Sequence, residues 1–118
     1  MEFGMFHEFL RAPGQTEAEA FDHAFEIVDA AEEHGLDAMW IAELHVAPER
    51  SVAAAPLILA AAIAQRTKRM KIGTAVQVLP LCHPLQLAEE VTTVDHLSRG
   101  RLIFRISKVS WNRSRLSA

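Results

Sequence analysis

Four short apolar runs recur along the chain at a nearly constant interval, and this spacing constrains the fold more than any other feature. They occupy residues 3–6, 38–42, 72–79 and 102–106. Each run begins roughly one βαβ unit, about 30 residues, after the previous one. The runs are continuously apolar, as expected for parallel strands that are covered on both faces or rolled into a barrel. The sequence therefore predicts an α/β fold of about four parallel strands joined by three helices.

The first helix carries signals at both ends. Thr16 and Glu19 have the spacing of a Thr-x-x-Glu capping box, which marks a helix start. Gly35 follows the last apolar position and predicts a left-handed C-terminal cap.

The other two helices are marked mainly by proline and glycine. The second is predicted to begin near Ser51, with Pro56 in or near its first turn. The third is predicted to begin at Pro84, a favourable first helical residue, and to end at Gly100.

Composition and charge exclude several classes of protein. The net charge is -3 and no basic stripe precedes the last stretch, so no nucleic-acid partner is expected. The single cysteine, Cys82, allows no internal disulfide and fits a reducing compartment. The longest apolar stretch, residues 52–64, is shorter than the about 20 residues that span a bilayer, and no signal peptide is visible. A cytoplasmic protein without membrane contact is predicted.

An open doubly wound sheet is an alternative on this pattern alone. However, no Gly-x-Gly-x-x-Gly motif follows the first apolar run, where a dinucleotide-binding fold would carry it. The remaining histidines lie on helices or at helix ends, and their spacing predicts no metal site.

Several segments, taken in order, resemble a known family. They are MEFGMF at 1–6, GLDAMWIAELH at 35–45, GTAVQVLP at 73–80, HPLQLAEE at 83–90 and DHLSRGR at 95–101. In this order and spacing the chain resembles the bacterial luciferase-like monooxygenases over residues 1–106. The resemblance implies the N-terminal half of a (β/α)8 TIM barrel, truncated because a whole barrel takes about 250 residues.

The same resemblance implies a flavin-dependent oxidoreductase. Reduced FMN, or alternatively the deazaflavin F420, would act with dioxygen on a small organic substrate such as an aldehyde. A separate flavin reductase would supply the reduced cofactor, and a homodimer is left open.

His45 and Glu43 are the predicted catalytic residues, because active sites of such barrels lie at the carboxyl ends of the strands. The imidazole of His45 can transfer protons near neutral pH. Glu43 ends a buried strand, where a charge needs partners. The family often shows Glu-His-His here, and this chain has Leu44 in the middle position. A loop hydrogen bond for His45 and a structural ion pair for Glu43 are the alternatives, and His7 is expected at the same rim.

Thr74, Ala75 and Val76 are predicted to contact the flavin. Small residues, including Gly73 before them, let a flat ring approach the backbone. The resemblance implies a non-proline cis peptide between Ala75 and Val76 beneath that ring. Tight packing of a helix against the strand is the alternative reading.

Ser107 and Lys108 are predicted to complete the cofactor site. The resemblance implies an arginine for the flavin phosphate where this chain has Lys108, and lysine can bind phosphate as a point charge. The resemblance also implies a glycine where this chain has Arg105, inside the predicted fourth strand, where a large cation is hard to accommodate. Residues 1–106 are predicted to be a partial barrel domain, and residues 107–118 a divergent, disordered tail.

Three functional hypotheses follow. The chain is part of a flavin-dependent monooxygenase, a non-catalytic remnant or half-barrel that needs self-association, or an open α/β binding module. A four-stranded sheet leaves two exposed edges, which invite pairing with another chain. Because later barrel loops would supply half of the cofactor shell, weak or absent flavin binding is expected of this chain.

Overall fold

The computed structural model describes residues 1–108, in which strands and helices alternate. The strands are β1 (Gly4–His7), β2 (Ala38–Ile41), β3 (Lys71–Thr74), β4 (Gln77–Val78), β5 (Leu102–Ile103) and β6 (Ile106–Ser107). The helices are α1 (Glu17–Glu33), α2 (Pro56–Arg66) and α3 (Pro84–Leu97), and a single 3-10 turn covers Leu79–Leu81. Within this part of the chain, no helix combines the length and apolar character needed to cross a membrane.

β1, β2, β3 and β5 form one parallel sheet in that order. Phe6, Trp40, Gly73 and Ile103 lie side by side across the four strands. Buried side chains from all three helices meet those of β2 and β3 in one apolar core. The predicted partial α/β barrel, with four parallel sheet strands and three helices, is confirmed.

Two of the predicted strands are wrong in their length. The predicted run 72–79 ends as a sheet strand at Thr74, and the chain then passes through a cis peptide into β4. The predicted run 102–106 likewise breaks after Ile103, and β6 pairs with β4 in a separate two-stranded sheet. The break is held by the Thr74 hydroxyl, which donates to the Arg105 carbonyl and accepts from the Arg105 amide, both at 2.8 Å.

The helix signals were accurate for α1 and α3 and misplaced for α2. Thr16 caps α1 in a complete capping box, and Gly35 and Gly100 both adopt positive φ after α1 and α3. α2 begins at Pro56, later than predicted, because Ser51 forms an antiparallel bridge with Leu10.

Helix α1 buries one narrow face of small side chains against the sheet. Its buried residues are Ala20, Ala24, Val28 and Ala31. Phe9 fills the space between the N-terminal segment and α1, where its ring is fully buried in edge contacts with Phe21 and Phe25. Small residues on the helix and one large ring beside it therefore set how closely α1 approaches the strands.

On the opposite face of the sheet, the indole of Trp40 lies directly over Gly73. A Cβ placed on Gly73 would be 2.2 Å from Cε3 of Trp40, far inside van der Waals contact. The Arg105 guanidinium lies over the same indole at 5.6 Å. The sequence predicted that small residues here let a flat ring approach the backbone. The ring that approaches Gly73 is the indole of Trp40. Arg105 is exposed between β5 and β6, so the predicted conflict inside a strand does not arise.

Candidate functional site

The predicted catalytic pair lies where β2 and β3 end. The amide of Ala75 donates to the carbonyl of Ile41 at 2.7 Å, which holds the two strand ends together. Glu43 and His45 follow β2 within four residues, so both belong to this rim. The topology therefore brings the segments after β2 and after β3 to one edge of the sheet.

Glu43 and His45 contact each other directly. Nε2 of His45 is 2.6 Å from Oε1 of Glu43, and the two side chains are 39% and 2% exposed, respectively. The second carboxylate oxygen, Oε2, accepts a hydrogen bond from the Val78 amide at 2.7 Å. A buried carboxylate is thus paired with a partly exposed imidazole and a backbone donor, which satisfies the need for partners.

The three residues predicted to contact the flavin differ in accessibility. Ala75 and Val76 are half-buried at the rim, and the peptide bond between them is cis, as predicted. Thr74 is fully buried, and its hydroxyl is engaged by the Arg105 backbone. Any contact between Thr74 and a ligand at the rim would therefore involve its backbone.

Ser107 and Lys108 lie beside this segment. Ser107 is the partner of Val78 in the pair of β4 and β6. Lys108 is exposed, and no side-chain partner is found for it among residues 1–108. The predicted tail begins here, and its residues 109–118 lie outside the described residues.

A cavity of about 220 Å³ opens next to the Glu43–His45 pair. Its wall is largely apolar, from α2 and the segment before it, and its polar groups include Gln77 and Cys82. The Gln77 amide contacts the Cys82 sulfur at 3.3 Å, and its oxygen has no partner among the described residues. The barrel rule places residues 75–80, and so Gln77 and Val78, among the candidates at the rim, but sequence reasoning assigned no role to the Gln77 side chain or to the Val78 amide.

His7 ends β1 at the same rim, but its imidazole is turned toward the core. Nδ1 accepts a hydrogen bond from the Phe9 amide at 2.8 Å, and the two rings are in edge contact. Burial, and secondarily the nearby His23, lower the pKa of His7 below its ordinary value. His7 is therefore a structural acceptor at neutral pH.

This lowered pKa predicts a loss of stability on acidification. The unfolded chain takes up the His7 proton near pH 6.5, whereas the folded chain does so only at lower pH. The free energy of unfolding should therefore fall as the pH drops from 6.5 through the folded pKa. His7→Asn keeps an acceptor for the Phe9 amide and does not titrate, so its urea midpoint should change less between pH 7 and 5. A slope in His7→Asn equal to that of the wild type would contradict the assignment.

A parallel sheet with crossover helices, and polar side chains gathered at the carboxyl ends of its strands, defines part of a barrel-type α/β domain. The sequence matches the family described as luciferase-like monooxygenase over residues 1–115. The chain belongs to that family.

Individual relatives agree with this assignment. The chain is 33% identical over 113 residues to the alkanal monooxygenase alpha chain of Photorhabdus luminescens, which covers 96% of this chain and 31% of that protein. It is 32% identical to the oxygenase component of the flavin-dependent trigonelline monooxygenase of Acinetobacter baylyi, covering 95% and 31%. The chain thus spans about a third of the length of the curated relatives it matches.

The fold is shared with a solved structure of the same kind. The oxygenating constituent of 3,6-diketocamphane monooxygenase from Pseudomonas putida, in complex with FMN, superposes with a TM-score of 0.86. The two are 26% identical, and the match covers 98% of this chain and 32% of that one. The parallel strands of this chain therefore correspond to part of a larger enzyme domain.

Proposed function

We propose that this chain forms part of a flavin-dependent monooxygenase in which reduced FMN and dioxygen act on a small organic substrate such as an aldehyde. The observation that carries the proposal is the Glu43–His45 pair, placed beside Ala75 and Val76 at the carboxyl rim of a parallel sheet. Relatives named as oxygenase components support a separate reductase as the source of reduced flavin.

The residues at the rim fit a flavin in part. Ala75 and Val76 offer a small, half-exposed surface for a flat ring, and the exposed ammonium of Lys108 suits a phosphate. The hydroxyl of Ser107 is at the neighbouring position. Thr74 adds backbone only, since its side chain is buried. When bound, reduced flavin would supply the electrons for reduction of dioxygen.

His45 is proposed as the group that exchanges protons with the substrate. Its imidazole is partly exposed and lines the cavity, whereas the carboxylate beside it is covered. The apolar wall of that cavity would exclude water from one side of a bound molecule. An imidazole at such a boundary is suited to general acid–base catalysis.

Titration of the chain with FMN, followed by amide shifts in NMR spectra, tests the proposal. We expect weak binding, because this chain carries part of the ligand shell, with shifts confined to the rim around Ala75, Val76 and Lys108. Riboflavin, which lacks the phosphate, should keep the shifts at Ala75 and Val76 and lose those at Lys108. Shifts scattered over the chain, or none at millimolar FMN, would argue against a flavin site, and F420 tested in parallel identifies the preferred cofactor.

The alternative is a half-barrel that self-associates without catalysing a reaction. Its support is the exposed apolar surface on and beside β1, where Phe6 is 55% exposed and Phe3, just before the strand, is 60% exposed. Sedimentation of the same sample separates the two hypotheses. A stable dimer without rim-specific flavin shifts would favour self-association.

A further inference from the structure

The carboxylate of Glu43 is almost completely covered by its neighbours. Its side chain is 2% exposed, one oxygen is 2.6 Å from His45, and the other accepts from the Val78 amide at 2.7 Å. A group that is covered and hydrogen-bonded at both oxygens affects chemistry at the rim only through its partners.

We infer that Glu43 is a positioning residue that selects the tautomer of His45. It holds the proton on Nε2 and thereby leaves Nδ1 as the ring atom that exchanges protons with a ligand. The inference rests on the proposed function, in which His45 is the acid–base group, and it assigns a distinct role to its buried neighbour.

The hydrogen-bonding capacity of the groups supports this tautomer. An ionised carboxylate accepts hydrogen bonds and donates none, so a neutral imidazole nitrogen 2.6 Å away must carry the proton. Nδ1 of His45 has no partner among residues 1–108, and the ring is partly exposed at the cavity. The other ionisable groups lining that cavity are Cys82 and Glu90.

Glu43 also fixes where the imidazole stands. Through the Val78 amide it joins the loop after β2 to β4, and Val78 is paired with Ser107 on β6. The loop is further constrained just after His45, because Val46 adopts φ +56, a conformation that a β-branched residue rarely takes. One carboxylate therefore joins the loop after β2 to the paired strands β4 and β6.

The Glu43→Gln variant should reverse the tautomer. Glutamine offers one acceptor and one donor group in place of two acceptors. If its oxygen keeps the Val78 amide, its NH2 faces Nε2, which must then accept, and the proton moves to Nδ1. The opposite arrangement sets two donors against each other at Val78 and leaves a buried donor unpaired. We therefore expect the ratio of Nε2–H to Nδ1–H forms to change by at least about tenfold.

Nitrogen chemical shifts of the His45 ring, measured in the histidine-labelled chain at neutral pH, report the tautomer directly. The wild type should show protonated Nε2, and Glu43→Gln should show protonated Nδ1. Glu49→Gln, the same charge change at an exposed residue of the same loop, should leave the His45 ring unchanged.

Protonated Nδ1 in the wild type would overturn the inference even if the variant failed to fold, and so would an unchanged ratio in a folded Glu43→Gln. The measurement needs no flavin. Failure of the flavin titration would therefore count against the proposed function alone, and failure of the tautomer result against the role of Glu43 alone.

Discussion

Replacing Arg101 with alanine should lower the free energy of unfolding by about 3 kcal/mol or more, because it leaves several carbonyls unpaired at once. All five N–H groups of its guanidinium are used at the end of the sheet opposite the candidate site. The acceptors are the Ser98 carbonyl at 2.8 Å, the Thr67 hydroxyl at 2.7 Å, and the carbonyls of Met70 at 2.8 Å, Ala64 at 2.9 Å and Thr67 at 3.1 Å. These groups include the last carbonyls of α2, which lack helical partners.

Two variants separate this geometry from simple loss of charge. Arg101→Lys keeps the charge but has no planar fork, so its stability should fall between those of the wild type and Arg101→Ala. Lys68→Ala removes an exposed cation from the segment between α2 and β3, whose carbonyls Arg101 binds. It should change stability by less than about 0.5 kcal/mol. Urea unfolding followed by circular dichroism measures all three. A loss of stability for Arg101→Ala no larger than that for Lys68→Ala would show that the hydrogen bonds of the Arg101 guanidinium contribute little.

Glu32 is a second charged residue at this end of the sheet, and its hydrogen-bond partners are distant in the sequence. Glu32 lies in α1, and its carboxylate accepts from the amides of Lys68, Arg69 and Met70, each at 2.9 Å. Burial alone would raise the pKa of Glu32, but these backbone hydrogen bonds lower it below the ordinary value. The sequence alone gives no sign of this role, because the three amides that Glu32 binds are more than thirty residues away.

The elements that sequence predicted well are those whose signals are local. The capping box at Thr16, the first-turn proline at Pro84 and the glycines after α1 and α3 act on neighbouring residues, so their spacing is enough. The order of strands and helices follows from the recurrence of apolar runs. The lengths of the strands cannot be predicted in this way, because the apolar runs continue past the points where strand pairing stops.

The errors arise where distant residues decide the conformation. α2 starts late because Ser51 is held by the N-terminal segment, through its bridge with Leu10 and its hydroxyl contact with the Glu8 carbonyl. The third strand stops at Thr74 because the Thr74 hydroxyl forms hydrogen bonds with the backbone amide and carbonyl of Arg105. Propensity cannot report either contact, since both partners lie over thirty residues away.

The candidate site was predictable as a set of residues and not as a network. The barrel rule places Glu43 and His45 at the carboxyl ends of strands. It cannot say that they bind each other, or that the Val78 amide holds the second carboxylate oxygen, because backbone donors carry no residue signature. Similarly, Gly73 signals a close approach without saying that Trp40 is the approaching ring.

That approach gives the second large expected effect. Gly73→Ala should lower the free energy of unfolding by about 2 to 3 kcal/mol, because its Cβ would meet Cε3 of Trp40 at 2.2 Å and Cζ3 at 2.5 Å. The indole must move or the strands must separate, and either change disturbs the Arg105 contact above the ring. Gly4→Ala is the matched control on the same ring: its Cβ would lie 2.9 Å from Nε1 of Trp40, so a smaller loss is expected.

A double-mutant cycle with Trp40→Ala assigns the loss to this contact. Trp40→Ala removes the three atoms nearest to the added Cβ, and replacing a flexible glycine in a strand should then be neutral or stabilising by up to about 1 kcal/mol. The coupling between the two substitutions should therefore be about 2 kcal/mol or more, measured from urea unfolding of the four chains. Equal losses for Gly73→Ala with and without the indole would place the obstacle elsewhere.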